Sequence, residues 1–287
     1  MGKKIAILGT ENSHALAFAK LLKDPKYADI ELCGIYGYDT DANMGILDIW
    51  PGIESAPSPY AFLGRVDGVV ITARHGTHHY EYGLPYIKAG VPAFIDKPFT
   101  VEQHHADELI AVAETASTPL CGGSCLKFAR ELEPLRAAVL TPVSEWGNVI
   151  GGHFTAPVDL DNPYGGFFFY TQHLVQMVLR VFGGGIDSVR AAGNGDTITA
   201  LFRYPAYDVS GLYGPGVYSA SIAFQQKLLY TEIGDVIDLF DAELLEFADM
   251  LRTGSMPGTY AELAYPVTVL QALYKALETG REIRLHY

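Results

Sequence analysis

Between residues 5 and 120 short apolar runs alternate with amphipathic stretches, and few architectures accept that pattern. Residues 5–8 (IAIL), 30–36, 68–72 (GVVIT) and 91–95 (VPAFI) are apolar runs too short for helices. Residues 12–23, 78–89 and 101–115 carry helical spacing between and after them. The first helix is stopped by Pro25, Gly90 stands as the left-handed residue after the second, and Thr100 and Gln103 have capping-box spacing ahead of the third. Apolar strands that return through helices require a parallel sheet covered on both faces. A doubly wound parallel sheet is therefore expected over residues 1–120.

Beyond residue 120 the period changes. After a helix at 127–140, longer segments with period-two character follow at 148–158, 196–204, 216–225 and 228–233. They predict an open, largely antiparallel sheet. A helix at 171–182 is inserted among them, and helices at 235–252 and 262–277 close an α+β domain spanning 121–287. The whole chain is α/β in class. Acidic residues outnumber basic ones by 33 to 20, a net charge of −13. That excess argues against nucleic acid and against an anionic membrane surface, both of which need clustered Lys and Arg. Three cysteines without a CxxC pair signal neither a disulfide framework nor a zinc knuckle. No apolar run reaches membrane-spanning length, and Met1-Gly2-Lys3-Lys4 leads straight into the first strand, so a cytoplasmic protein is expected.

The first strand runs into Gly9-Thr10-Glu11-Asn12-Ser13-His14, where a dinucleotide-binding turn reads GxGxxG. Gly9 supplies the tight turn, Glu11 and His14 replace the second and third glycines, and Thr10 and Ser13 offer hydroxyls. Taken alone, the loop reads equally well as a plain strand–turn–helix. Asp39, after the second strand, has the chemistry to accept from ribose hydroxyls and to repel a 2′-phosphate, which favours NAD over NADP. Two further strand ends lie on the ligand side of such a sheet: Thr72 with His75 and His78, and Asp96-Lys97-Pro98. Alone, Lys97 reads as a solvated lysine and His173 as a core histidine. His75, His78 and His79 lack a completing carboxylate, so no metal site is expected.

These motifs resemble the Gfo/Idh/MocA oxidoreductases, named for glucose–fructose oxidoreductase and inositol dehydrogenase. The family's Glu-Lys-Pro is matched as Asp96-Lys97-Pro98, and its Pro-x-x-x-His keeps the histidine as His78 while Arg74 stands for the proline. The closing stretch from Leu251 to Arg281 is similar to the family's final helices. The family's glycine pair and helix, with Asp and His four residues apart, correspond to Gly165-Gly166 and to Phe169 and His173. The histidine survives and the acid does not.

The resemblance implies a Rossmann-type first domain that holds NAD(P), and a second domain for substrate binding and dimerisation. The cofactor contacts it implies fall on Gly9, Thr10, Glu11, Ser13, His14, Asp39, Thr72, His75, His78, Asp96, Lys97 and Pro98. The implied reaction is hydride transfer from a sugar, polyol or derivative. His173 would remove the hydroxyl proton, and Lys97 would donate a hydrogen bond to the same oxygen. Because the two residues belong to different domains, only a closed interdomain cleft would bring them together. Two other classes stay open: an enzyme that keeps its NAD for redox-neutral elimination or glycoside cleavage, and a non-catalytic nucleotide or sugar sensor. The alternating 216–225 segment leaves an apolar sheet face, so a homodimer or homotetramer is expected.

Overall fold

The computed structural model describes residues 2–141, 145–214 and 216–285. In chain order the first elements are β1 (Lys3–Leu8), α1 (Ser13–Leu21), β2 (Ile30–Tyr36), α2 (Thr40–Ile49), β3 (Glu54–Ser55) and β4 (Gly68–Ile71). Then come α3 (Thr77–Lys88), β5 (Ala93–Asp96), α4 (Gln103–Ala116) and β6 (Leu120–Gly123). Their six strands form one parallel sheet in the order β3-β2-β1-β4-β5-β6. This is a doubly wound order whose direction of winding reverses between β1 and β4, where ligands bind at the carboxyl ends of the strands.

The second stretch comprises α5 (Glu133–Leu140), β7 (Val149–Ala156), α6 (Phe167–Phe182), β8 (Ser188–Asn194), β9 (Thr197–Arg203) and β10 (Asp208–Tyr213). It continues with β11 (Tyr218–Phe224), β12 (Leu228–Ile233), α7 (Leu239–Thr253), α8 (Tyr260–Thr279) and β13 (Ile283–Arg284). Seven strands form a sheet in the order β12-β11-β7-β10-β9-β8-β13. It is antiparallel except for the central β7–β10 pair, which is parallel.

The chain divides into two compact units. The first joins 1–123 to 237–264, and the second joins 124–236 to 265–287. A single boundary near residue 120 misses this return: α7 belongs with the parallel sheet. Its Phe247 meets Phe94, which in turn meets Phe18 of α1 edge-on at 5.4 Å. The Tyr260 hydroxyl closes the same unit by donating to Thr118 O at 2.8 Å.

Two local expectations give way to identifiable competitors. The capping box at Thr100 does not form; Thr100 Oγ1 donates to Glu102 O at 2.9 Å, and α4 starts at Gln103. The expected helix at 127–140 is two short 3₁₀ turns followed by α5, because Pro134 has no N–H to give and starts a helix instead of continuing one. Strands β8 and β10, rich in Ala, Gly, Ser and Asn or Asp, carry too little β-propensity to show in the sequence.

Candidate functional site

In the first unit, the turn after β1 is held by contacts that only glycine permits. Gly9 has φ +94°, and a Cβ on it would sit 2.2 Å from the Ala73 nitrogen just past β4. The β1 turn therefore presses directly on the backbone after β4, at the place where the winding reverses. Thr72 Oγ1 donates to Gly9 O at 3.0 Å and secures the approach. Thr10 turns the other way, donating to Asn43 Oδ1 of α2 at 2.5 Å. Asp39 is the N-cap of α2 and accepts from the Asp41 and Ala42 amides through Oδ1. It stays exposed at the carboxyl end of β2, the place of a ribose acceptor.

Glu11 stands where a second glycine would let a pyrophosphate approach. Its side chain is 8% exposed. Oε1 accepts from the Arg74 amide at 3.1 Å, while Oε2 is buried without a partner among the described residues. Burial pushes its carboxyl above the usual range, against the lowering effect of the nearby amides and His78; Asp39 adds to the rise. A dinucleotide fits the glycine turn and the Asp39 corner. At Glu11 it fits once that carboxyl is protonated, since a neutral acid donates to phosphate where a carboxylate repels it. Ser13 is exposed beside this turn, with Oγ 3.5 Å from Asn12 Oδ1.

Asp96, at the end of β5, is fully buried and collects contacts from three directions. Its Oδ1 accepts from the Lys97 amide at 2.7 Å, and its Oδ2 accepts from Asn12 Nδ2 at 3.1 Å. His14 Nδ1 lies 2.7 Å from Oδ2, an ion-pair distance without hydrogen-bond alignment, and the His14 ring rests on Phe240 with centroids 4.3 Å apart. Burial pushes the Asp96 carboxyl up, but His14, Lys97 and His79 outweigh it and hold the group below the usual range. Asp96 and His14 therefore tie α1 to β5 and fix where Lys97 leaves the strand. Lys97 itself is 5% exposed and precedes Pro98 through a cis peptide.

His79 was missing from the sequence-derived set, although it is the most buried histidine here. Its ring spans Pro98 O at 2.6 Å and Ala73 O at 2.8 Å, joining the segments that follow β5 and β4. Burial pushes its ring toward the neutral form. His78, the family-matched histidine, is half-buried; it lies 3.2 Å from Glu81 and stacks on Tyr82. His75 accepts from the Thr77 amide and pairs with its hydroxyl at 2.8 Å, and burial lowers its pKa. Among the described residues no group of His, Cys, Asp and Glu could hold a metal ion.

In the second unit, Gly166 opens α6 with φ +51°, and a Cβ there would sit 2.9 Å from Leu160 O. The helix begins at Phe167, ahead of the expected 171, because the buried rings of Phe167 and Phe168 pack on Tyr274. Phe169 and His173 thus share one helix face, both buried. Ser124 Oγ lies 2.6 Å from His173 Nδ1, a partner no sequence motif marks. The rings of Tyr218 and Tyr170 flank His173, at 5.6 and 6.2 Å.

Residues 3–123 match a family described as an oxidoreductase family with an NAD-binding Rossmann fold, Gfo/Idh/MocA. No curated protein sequence matches. Among solved structures, GenD2 from gentamicin A biosynthesis, crystallised with NAD, is 14% identical over 100% of this chain and 97% of its own, with a TM-score of 0.88. Scyllo-inositol dehydrogenase from Lactobacillus casei, solved with NAD(H) and scyllo-inositol, is 14% identical over 99% of both chains, with a TM-score of 0.84. A myo-inositol dehydrogenase from Corynebacterium glutamicum is 16% identical over 100% of both, with a TM-score of 0.83. At such identities these likenesses establish a shared fold. The family likeness therefore rests on residues 3–123, the NAD-binding Rossmann domain of Gfo/Idh/MocA oxidoreductases, while the likeness in fold extends over the whole chain.

Proposed function

We infer that the protein is an NAD-dependent oxidoreductase acting on a sugar, polyol or derivative, with Lys97 and His173 working at the reacting hydroxyl. The observation that carries it is Lys97: a lysine side chain is costly to bury, yet this one is 5% exposed at the ligand end of β5 in an NAD-binding type of domain. Bound NAD supplies the hydride acceptor. The chain's own groups hold the substrate oxygen and handle its proton. Asp39 meets ribose hydroxyls and disfavours the 2′-phosphate of NADP. Tyr170 and Tyr218 flank His173 with hydroxylated rings suited to a polyol, and burial raises the Tyr218 pKa so that it remains a neutral donor. The acting form is a homodimer or dimer of dimers in the cytoplasm.

The test is NADH formation with a panel of inositols and aldoses, followed by absorbance. Lys97→Ala and His173→Ala should each lower turnover about 10²-fold or more, while NAD affinity measured by calorimetry barely changes. An established activity that survives Lys97→Ala removes the site assignment. A second reading, a nucleotide-binding sensor without turnover, is favoured by the carboxyl at Glu11; it predicts NAD binding and no NADH with any substrate.

A further inference from the structure

In the second unit, His173 of α6 meets the hydroxyl of a serine that lies outside the helix. Ser124 Oγ lies 2.6 Å from His173 Nδ1, and Ser124 is fully buried. Among the described residues Oγ has one further partner, the Leu126 amide, which donates to it at 3.2 Å. An amide cannot accept, so the hydroxyl proton has a single acceptor, Nδ1. Leaving a buried hydroxyl proton without an acceptor is costly. Phe169, four residues before His173 on the same helix face, offers Nδ1 no polar alternative. A neutral imidazole that accepts at Nδ1 carries its proton on Nε2.

We propose that Ser124 is a positioning residue that locks His173 in the Nε2–H tautomer, so that His173 donates a hydrogen bond to the substrate oxygen and is not the base. In this tautomer Nε2 has no lone pair with which to take a proton. To act as base there, the ring must carry its proton on Nδ1, which would point at Oγ and drive the hydroxyl proton from its acceptor. A neutral imidazole donor instead stabilises developing alkoxide charge and keeps its proton throughout. The balance is then simple: the carbinol C–H leaves as hydride to the nicotinamide, the O–H proton passes to a neutral Lys97 amine, which becomes an ammonium, and the carbonyl forms. This division of labour rests on the oxidoreductase reading; the tautomer does not.

Histidine-selective ¹⁵N labelling, with His173→Gln to assign the signals, reads the tautomer in the whole protein without substrate. Wild type should show an unprotonated Nδ1 and a protonated Nε2 at neutral pH, and Ser124→Thr should match it. Ser124→Asp keeps an acceptor for the Leu126 amide but, when ionised, has no proton to give, so it should move the proton to Nδ1. A protonated Nδ1 in wild type, or an unprotonated one in Ser124→Asp, overturns the proposal. Signal dispersion in the same spectra reports whether each variant is folded, and Ser124→Ala, expected to give a tautomer mixture, serves if the aspartate variant does not fold. With any polyol that is turned over, Ser124→Asp should lower kcat about tenfold or more with little change in KM, and Ser124→Thr should retain it. No turnover across the polyol panel would remove the oxidoreductase reading and leave the tautomer result standing.

Discussion

A buried carboxyl at the first strand–helix turn should make cofactor affinity depend on pH. Because burial raises the Glu11 pKa, the group is protonated to a higher pH in the folded protein than in the unfolded chain. Its protonated form is the one compatible with a pyrophosphate, so NAD affinity should be greatest below that raised pKa and fall as pH rises through it. Stability follows the same sign: with more protons bound in the folded state, it declines as pH rises over the same window. Glu11→Gln should flatten the affinity profile and tighten NAD binding at high pH, as measured by calorimetry. A pH-dependent affinity retained in Glu11→Gln would place the titrating group elsewhere. The carboxylate at Asp39 sets a separate preference: NAD should bind more tightly than NADP, and tighter NADP binding in a parallel titration would overturn the assignment of the β2 corner.

The loops after β4 and β5 bear the first unit's candidate site, and a single side chain couples them. His79 packs against both Ala73 O and Pro98 O, so its loss frees both segments at once and leaves a buried carbonyl without its donor. His79→Ala should destabilise the protein by about 2–4 kcal/mol, read as a lower urea midpoint with an unchanged m-value. It should also weaken NAD binding, because Gly9 is positioned against Ala73. An unchanged midpoint would mean the loops hold themselves. Helix α6 depends in the same way on Gly166, whose positive φ lets the aromatic run enter the helix. The glycine pair was legible in the sequence. The four extra residues of α6 were not, since their burial comes from Tyr274, far along the chain.

The seven-stranded sheet turns one face away from the second unit's core, and that face carries Leu212, Leu228 and Tyr230 among polar groups such as His153, Ser210 and Arg203. Ala220, Ile222 and Phe224 point into the second unit's core, whereas Ile150, Leu212, Val217, Leu228 and Tyr230 are exposed. Scattered exposed apolar residues are ordinary, but these lie on the strands of one sheet or at their ends. Self-association through this face is expected: sedimentation at micromolar concentration should give a dimer or tetramer, and charges at Leu228 and Tyr230 should shift it toward monomer. A monomeric wild type would refute it. The excess negative charge does not oppose this, since like-charge repulsion is screened over about 8 Å at physiological salt.

Local periodicity and the backbone demands of single residues act within a few positions of the chain, and these the amino-acid order settles alone. The alternation that makes the first sheet parallel, the glycine at the β1 turn, Asp96-Lys97-Pro98 at a strand end and the glycine pair before α6 are all of this kind. The groups that orient the site come from distant positions. Asn12 reaches Asp96 across 84 residues, and Ser124 reaches His173 across 49. The order of the strands, not the spacing of the residues, makes them neighbours. The same holds for segment 237–264, whose apolar side chains suit either core and which packs with the first unit because α1, β5 and Phe247 meet there. The residue types of the candidate site are therefore written locally. Their orientation, and with it the tautomer of His173, follows from which buried partner the fold brings to each donor and acceptor.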